Sequence, residues 1–394
     1  MSANRSSPAS PHRKVLLMIT DAGGGHRGSA VSLKAAIEQR GLPWDVQIIN
    51  AYTDVWHTME LSRRLLRISG EDIYNLVLKK NLTGTARLLR KFARAMVWLQ
   101  FRVGRRLARQ YFEREKPDLV VSLMPFVNDI YAESLAGMRT PFALLLTDLV
   151  DTKPYMWLTR TACGTARFVA VGCDEAGDAA LASGVSPDRL VVSGLVIHPK
   201  HFDPATRGIG QEEARKRFGL APDLFTVVVV MGGVGGPVIR RFSLAFESAR
   251  TPWQVVACVG KNEPLKADLE ALRPTLKNRL AVFGFTKELH LLMRAADVVV
   301  TKPGPASIFE CLTMGTPMVL DDFSTMPQEV PNADFVEREG FGVAVRDRRL
   351  MFQAVAALAD DPARLQRLRD RIRAFEVKDA ATPVIDAMAG AMDA

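Results

Sequence analysis

Residues 297–322 read DVVVTKPGPASIFECLTMGTPMVLDD: a short β-branched run, a Pro-Gly-Pro loop, an apolar-periodic stretch, a Gly-Thr-Pro break and a second apolar run. Such a run closed by Pro and Gly reads as a buried strand, and Gly315-Thr316-Pro317 stops a helix before the next one. The stretch therefore predicts strands over 297–302 and 317–322 with a helix over 308–314 between them. Outward from it the same alternation continues. Strands are expected at 225–232, 254–260, 280–285 and 342–345, and an earlier set at 14–20, 44–50, 118–124, 142–148, 167–172 and 189–194. No 20–50-residue repeat is visible, which removes solenoids and propellers. The expected class is α/β, built as two doubly wound, Rossmann-like halves with a ligand cleft at the strand carboxyl ends.

HPKHFDPATRGIG (198–210), dense in Pro, Gly and His, is the expected crossover. The division is then a flexible N-terminus at 1–12, one domain over 13–205, a second over 206–375, and a C-terminal helix within 376–394 that can return to the first domain. His198 and His201 fall in the crossover, where solvated histidines are the expectation.

The chain has 394 residues, 48% of them hydrophobic, which is ample for two cores and unlike a disordered composition. Its four cysteines form no C-x-x-C pair, so neither a disulfide framework nor a zinc ribbon is indicated. No run approaches the roughly 18 apolar residues of a spanning helix, and no secretory leader is read at the start. A cytoplasmic location follows as the expectation.

The formal charge is +9, yet residues 61–116 alone carry fifteen Lys/Arg against four Asp/Glu. Arg87, Arg90, Lys91, Arg94, Arg102, Arg105 and Arg109 recur at three-to-four spacing, opposite Leu88, Leu89, Phe92, Ala95, Met96, Leu99, Val103 and Leu107. The pattern is a basic amphipathic helix with Trp98 on its cationic side. A solvated helix packed on the core is the ordinary outcome. The interleaved Phe92, Trp98, Phe101, Tyr111 and Phe112 point instead to an anionic surface, either acidic lipid headgroups or nucleic-acid phosphates. Charge alone does not separate these two.

Three glycine-rich or polar clusters carry the chemistry. Asp21-Ala22-Gly23-Gly24-Gly25-His26-Arg27-Gly28 follows the first strand and precedes a helix expected over 29–40, so backbone there can approach a ligand closely. It satisfies G-x-G-x-x-G, but the second strand ends in Asn50 and not in the acid that would hold a dinucleotide ribose. His26 suits proton transfer near neutral pH, or else caps the helix. Gly232-Gly233-Val234-Gly235-Gly236-Pro237 forms a second phosphate-sized loop, with Pro237 opening a helix. Glu310, one turn into the helix after Gly304 and Ser307, is placed to accept hydrogen bonds from ribose hydroxyls, and Gln328-Glu329 with Asn332 can bond a sugar.

With DAGGGHR (21–27), KPD (116–118), TDL (147–149), TKPGPASIFE (301–310) and PQEVPN (327–332) in this order, the chain resembles the monogalactosyldiacylglycerol synthase and processive diacylglycerol glucosyltransferase family. The resemblance implies a GT-B fold and an inverting transfer of glucose or galactose from UDP-glucose or UDP-galactose to diacylglycerol, with further sugars added processively in some members. It implies that His26 is the general base, with Gly24, Gly25 and Asp148 on the acceptor side. Gly232, Gly233, Gly235, Gly236, Gly304 and Ser307 would hold the diphosphate, Glu310 the ribose, and Gln328 with Glu329 the hexose. Lys153 stands near the usual place of a second histidine, and Met124 stands where plant members commonly have one. The basic segment lies where these enzymes meet lipid, which favours anionic membrane lipids over nucleic acid and a peripheral position on the inner face of the cell membrane. No cofactor and no essential metal is implied. Weighed against this are a same-fold transferase on a soluble acceptor, a same-fold UDP-sugar epimerase, and a nucleic-acid-binding protein.

Overall fold

The computed structural model describes residues 12–21, 24–56, 86–151, 155–233, 236–323 and 328–393. Within them lie two six-stranded sheets. The first comprises β1 (Arg13–Ile19), β2 (Trp44–Asn50), β3 (Leu119–Ser122), β4 (Phe142–Leu145), β5 (Val169–Val171) and β6 (Leu190–Val192), in spatial order β2-β1-β3-β4-β5-β6. The second comprises β7 (Phe225–Val230), β8 (Trp253–Gly260), β9 (Arg279–Gly284), β10 (Val298–Thr301), β11 (Met318–Asp321) and β12 (Gly342–Val345), in order β12-β11-β10-β7-β8-β9. Every pairing is parallel. Strands covered on both faces must be apolar on both, and β3, β4, β10 and β11 are buried throughout.

The strand order reverses between β1 and β3 in one sheet and between β7 and β10 in the other. At such a switch point the flanking helices diverge and leave a crevice outside the strand ends. Val230 pairs with Thr301, so the loop after β7 lies directly beside Lys302 and the loop after β10.

The helix expected over 29–40 begins earlier, spanning Gly25–Gln39. Gly24 caps it in the left-handed region at φ 82°, a conformation open to glycine, so the chain turns into the helix before His26. His26 thus sits in the first helical turn and not in the loop.

The basic segment contains a helix over Ala86–Glu115. Its later turns correct two readings. Val103, placed on the apolar stripe, is exposed, while Tyr111 and Phe112 face the first core and not an outer surface. The reason is packing of Phe112 and Trp56 on the ring of Tyr131, with Trp56 Nε1 donating to the Gly104 carbonyl. Arg105 pairs with Glu133 at 3.0 Å and Arg109 with Glu113 at 2.8 Å, so part of the cationic face is neutralised locally. Residues 61–85 lie outside the described residues, and for Arg87, Arg90, Lys91, Arg94 and Trp98 the description is confined to helical backbone.

After the helix Pro362–Phe375 the chain crosses back. The last helix, Ala381–Asp393, buries Val384, Ile385 and Met388 against Val15, Leu17 and Leu119 on one face of the first sheet. Arg40–Asp386 and Arg13–Asp393 pairs flank that contact. A second seam joins the halves where Leu149, Leu195 and Ile197 pack with Ile308 and Phe309.

Candidate active site

At the switch point of the first sheet, His26 Nδ1 lies 2.8 Å from Thr147 Oγ1, and the Leu123 carbonyl after β3 hydrogen-bonds the same imidazole. Burial pushes its pKa down to about 4, with the nearby Asp21 charge opposing the shift. The ring is therefore neutral at physiological pH and able to take up a proton. Asp21 itself is held low by Arg27 and Asn50.

Trp157 packs against the imidazole with ring centroids 5.8 Å apart. Its position is set by Asp151, whose carboxylate accepts the backbone N–H groups of Met156, Trp157 and Leu158 at 2.8–3.0 Å. Trp157 Nε1 in turn donates to Asp148 Oδ2 at 2.8 Å. Burial pushes Asp148 up to about 7, and the charge of Glu329, from the other domain, adds to the rise. Asp148 of the first domain and Glu329 of the second thus face one another electrostatically.

On the second sheet, Gly232 adopts φ 80°, and a Cβ there would meet the end of the Lys302 side chain at 3.8–3.9 Å. Gly260 closes β8 at φ 60° so near Gly233 that a Cβ would fall 2.2 Å from its carbonyl oxygen. Lys261 N–H donates to that same oxygen. Glycine is needed at 260 because backbone meets backbone here, whereas a Cβ on Gly233 would meet nothing within 4 Å.

The next helix spans Pro305–Met314, starting three residues before the expected 308, with Pro at its first position and Gly304 as its cap. Ser307 is half-buried in its first turn, and Glu310 follows one turn on. Burial pushes Glu310 up to about 7 against the lowering influence of Lys200. A Cβ on Gly304 would stand 3.8 Å from Glu329 Oε1, and Asn332 Nδ2 donates to the Pro303 carbonyl. The loop after β10 and the segment of half-buried Gln328 and Glu329 are therefore one surface.

The sequence-predicted residues fall into two groups at the ends of the two sheets: His26, Gly24, Gly25 and Asp148 on one side, and Gly232, Gly233, Gly236, Gly304, Ser307, Glu310, Gln328 and Glu329 on the other. Gly235 and Lys153 lie outside the described residues. Asp321 and Asp322, which resemble metal ligands in sequence, engage Arg348 and Arg346 at 3.3 Å.

Four residues beside these loops drew no role of their own from the sequence, although Thr147 and Lys302 fall within the TDL and TKPGPASIFE stretches. Thr147 and Trp157 are placed by loops whose course no periodicity reveals. Lys302 was legible as a loop residue but not as one aimed at Gly232. Phe285, directly after β9, is 65% exposed with Lys261 Nζ 5.6 Å from its ring centroid, a platform for a flat ligand beside the glycine loops. His201 corrects the expectation of a solvated linker histidine, being 1% exposed and 3.7 Å from Glu310.

Two facing Rossmann-like domains with glycine loops at their switch points define the GT-B class. Superposition agrees: the crystal structure of Acinetobacter baumannii MurG matches with a TM-score of 0.63 at 14% identity, over 95% of this chain and 98% of that one. CalG4, the calicheamicin glycosyltransferase, matches with 0.60 at 15% identity, over 98% and 99%. Residues 226–384 match the glycosyltransferase family 28 C-terminal domain. Over the whole chain there is similarity to the processive diacylglycerol beta-glucosyltransferase of Bacillus cereus, 26% identical across 95% of this chain and 93% of that protein. The chloroplastic monogalactosyldiacylglycerol synthase of Spinacia oleracea is 28% identical across 90% of this chain and 67% of its own length.

Proposed function

We propose that the chain transfers a hexose, glucose or galactose, from its UDP-sugar to diacylglycerol with inversion, forming a β-glycosyl lipid. The observation that carries this reading is the neutral, half-buried His26, linked through Trp157 to an Asp148 that feels the charge of Glu329 from the other domain, in a chain similar along its length to two diacylglycerol glycosyltransferases.

In this mechanism the acceptor hydroxyl oxygen bonds to the anomeric carbon as the bond to the UDP oxygen breaks, the electron pair leaving with the diphosphate. His26 takes the hydroxyl proton, with Thr147 and Leu123 holding its ring. Gly232 and Gly233, with Gly304 and Ser307 at a helix N-terminus, receive the diphosphate, and Lys302 supplies a cation. Because that charge comes from the protein, turnover proceeds without an added divalent ion. Glu310 accepts from the ribose, and Gln328 and Glu329 from the hexose. No helix of the described residues is long and apolar enough to cross a membrane. The lipid is reached from the surface of the cytoplasmic leaflet through the basic helix, where Arg102 is exposed.

The test is incubation of the purified protein with labelled UDP-glucose or UDP-galactose and diacylglycerol in vesicles with and without anionic lipid, in chelator and in magnesium. Labelled glycolipid in the organic phase, more of it on anionic vesicles and undiminished by chelator, is expected. Label confined to water as intact donor, epimer or free sugar removes the lipid acceptor.

A further inference from the structure

Beside Glu310 stands a pair of imidazoles with no part in the mechanism above. His201 ends the short turn Pro199–His201 in the crossover between the domains, and is buried there. Neither of its ring nitrogens has a hydrogen-bond partner among the described residues. The ring of His290 lies 5.2 Å away, centroid to centroid, and its Nδ1 is likewise buried and unpartnered. Burying such atoms unsatisfied is unfavourable, so each calls for a hydrogen-bond partner. The nearest acceptor is Glu310: its Oε1 lies 3.7 Å from His201 Nε2, just beyond hydrogen-bond length.

The surroundings keep this contact neutral on the histidine side. Burial drives His201 down to about 3 and His290 to about 4, with Lys200, His198 and Arg217 adding positive charge nearby and Glu288 opposing it at His290. The Lys200 ammonium is held away by the Lys287 carbonyl at 2.8 Å. A neutral imidazole offers one N–H donor and no charge, so it can orient a carboxylate without forming an ion pair. The Glu310 side chain is 27% exposed, so one oxygen can face His201 while the other faces the cleft.

We propose that His201 is the positioning residue of Glu310: its Nε2–H donates to one carboxylate oxygen when nucleotide binds and holds the other toward the ribose hydroxyls. The inference rests on the reading of Glu310 as ribose ligand. It gives the crossover, which carries no other site residue, a direct part in donor selection.

The experiment titrates UDP and 2′-deoxy-UDP calorimetrically into the wild type, His201→Gln, His201→Asn, Glu310→Ala and the His201→Asn/Glu310→Ala double variant. The Gln side chain brings its N–H₂ near the place of Nε2, and the Asn side chain near that of Nδ1. The wild type is expected to prefer UDP by roughly tenfold, the scale of one hydrogen bond to a charged group. His201→Gln should keep that ratio, His201→Asn and Glu310→Ala should each reduce it to within about twofold, and the double variant should go no lower. A purely structural role for His201 would change both affinities alike and leave the ratio intact. Retention of the ratio in His201→Asn therefore overturns the inference while Glu310 keeps its role. Retention in Glu310→Ala overturns both roles, and failure of the wild type to bind UDP overturns the donor reading itself. Should the Asn variant not fold, the unaltered protein decides. The His201 Nε2–H resonance should move downfield on UDP addition and stay still in Glu310→Ala, and an unmoved resonance in the wild type overturns the inference.

Discussion

At the scale of single residues, the site works by withholding water from ionisable groups. His26 is kept neutral by burial, and Asp148 and Glu310 are each raised to about 7 by the same cause acting on groups of opposite sign. For His26 the consequence is kinetic. Replacing it with Ala should lower kcat by ~10²–10⁴-fold while leaving the calorimetric Kd for UDP unchanged, because the imidazole serves the acceptor in the mechanism we propose. For Glu310 the consequence is a pH dependence of binding. The ionised carboxylate is the form that accepts two hydrogen bonds, so UDP favours loss of its proton. Affinity should therefore climb as pH rises toward 7 and level off above it, by at most roughly tenfold per unit below. Glu310→Gln should flatten that limb and weaken UDP by about ten- to a hundredfold, which titrations at several pH values would show. A limb that persists in Glu310→Gln would assign it to another group, Asp148 being the next candidate.

At the scale of elements, the glycine loops after β7 and β8 are one unit held by backbone contact. Gly260 is required twice, by its φ of 60° and by the 2.2 Å that would separate a Cβ from the Gly233 oxygen. Gly260→Ala should cost more than about 1 kcal/mol of stability and displace the donor loop, seen as a lower Tm together with weaker UDP binding. Gly164, in the helix Arg160–Thr165 with open space around it, is the control: Gly164→Ala should be neutral or slightly stabilising. The basic helix shows how an element divides its tasks. Its sequence periodicity was legible, but which aromatic side chains face outward was not, because Phe112 packs on the ring of Tyr131 in the next helix and Tyr111 packs beside Phe112 in the same core.

At the scale of the whole molecule, the two domains are tied by the crossover and by the returning C-terminal helix. That helix inserts Met388, fully buried, into the cluster that covers one face of the first sheet. Met388→Ala should destabilise the N-terminal domain by about 2–5 kcal/mol, a core truncation rather than a surface change. Thermal unfolding followed by tryptophan fluorescence, to which Trp44, Trp56, Trp98 and Trp157 of that domain contribute four of the five indoles, should report a lower midpoint, whereas a substitution at exposed Asp386 should leave it nearly unmoved. An unchanged midpoint in Met388→Ala would mean that the helix is not needed to close the N-terminal core.

The sequence by itself determined the α/β class, all twelve strands and the loops that follow them, because buried parallel strands must be continuous apolar runs and the turns at their ends must be made of Gly, Pro, Asn or Asp. It also placed His26, Glu310 and Gln328-Glu329 at strand ends, since each stands beside such punctuation. Only the tertiary structure decided what these groups experience. That Trp157 wedges between His26 and Asp148, that Lys302 reaches Gly232, and that His201 lies buried against Glu310 depend on residues far apart in the chain brought within a few ångströms. Local pattern carries no term for such distances, and burial, which shifts His26, Asp148, Glu310 and His201, exists only once the two sheets and their crossover have come together.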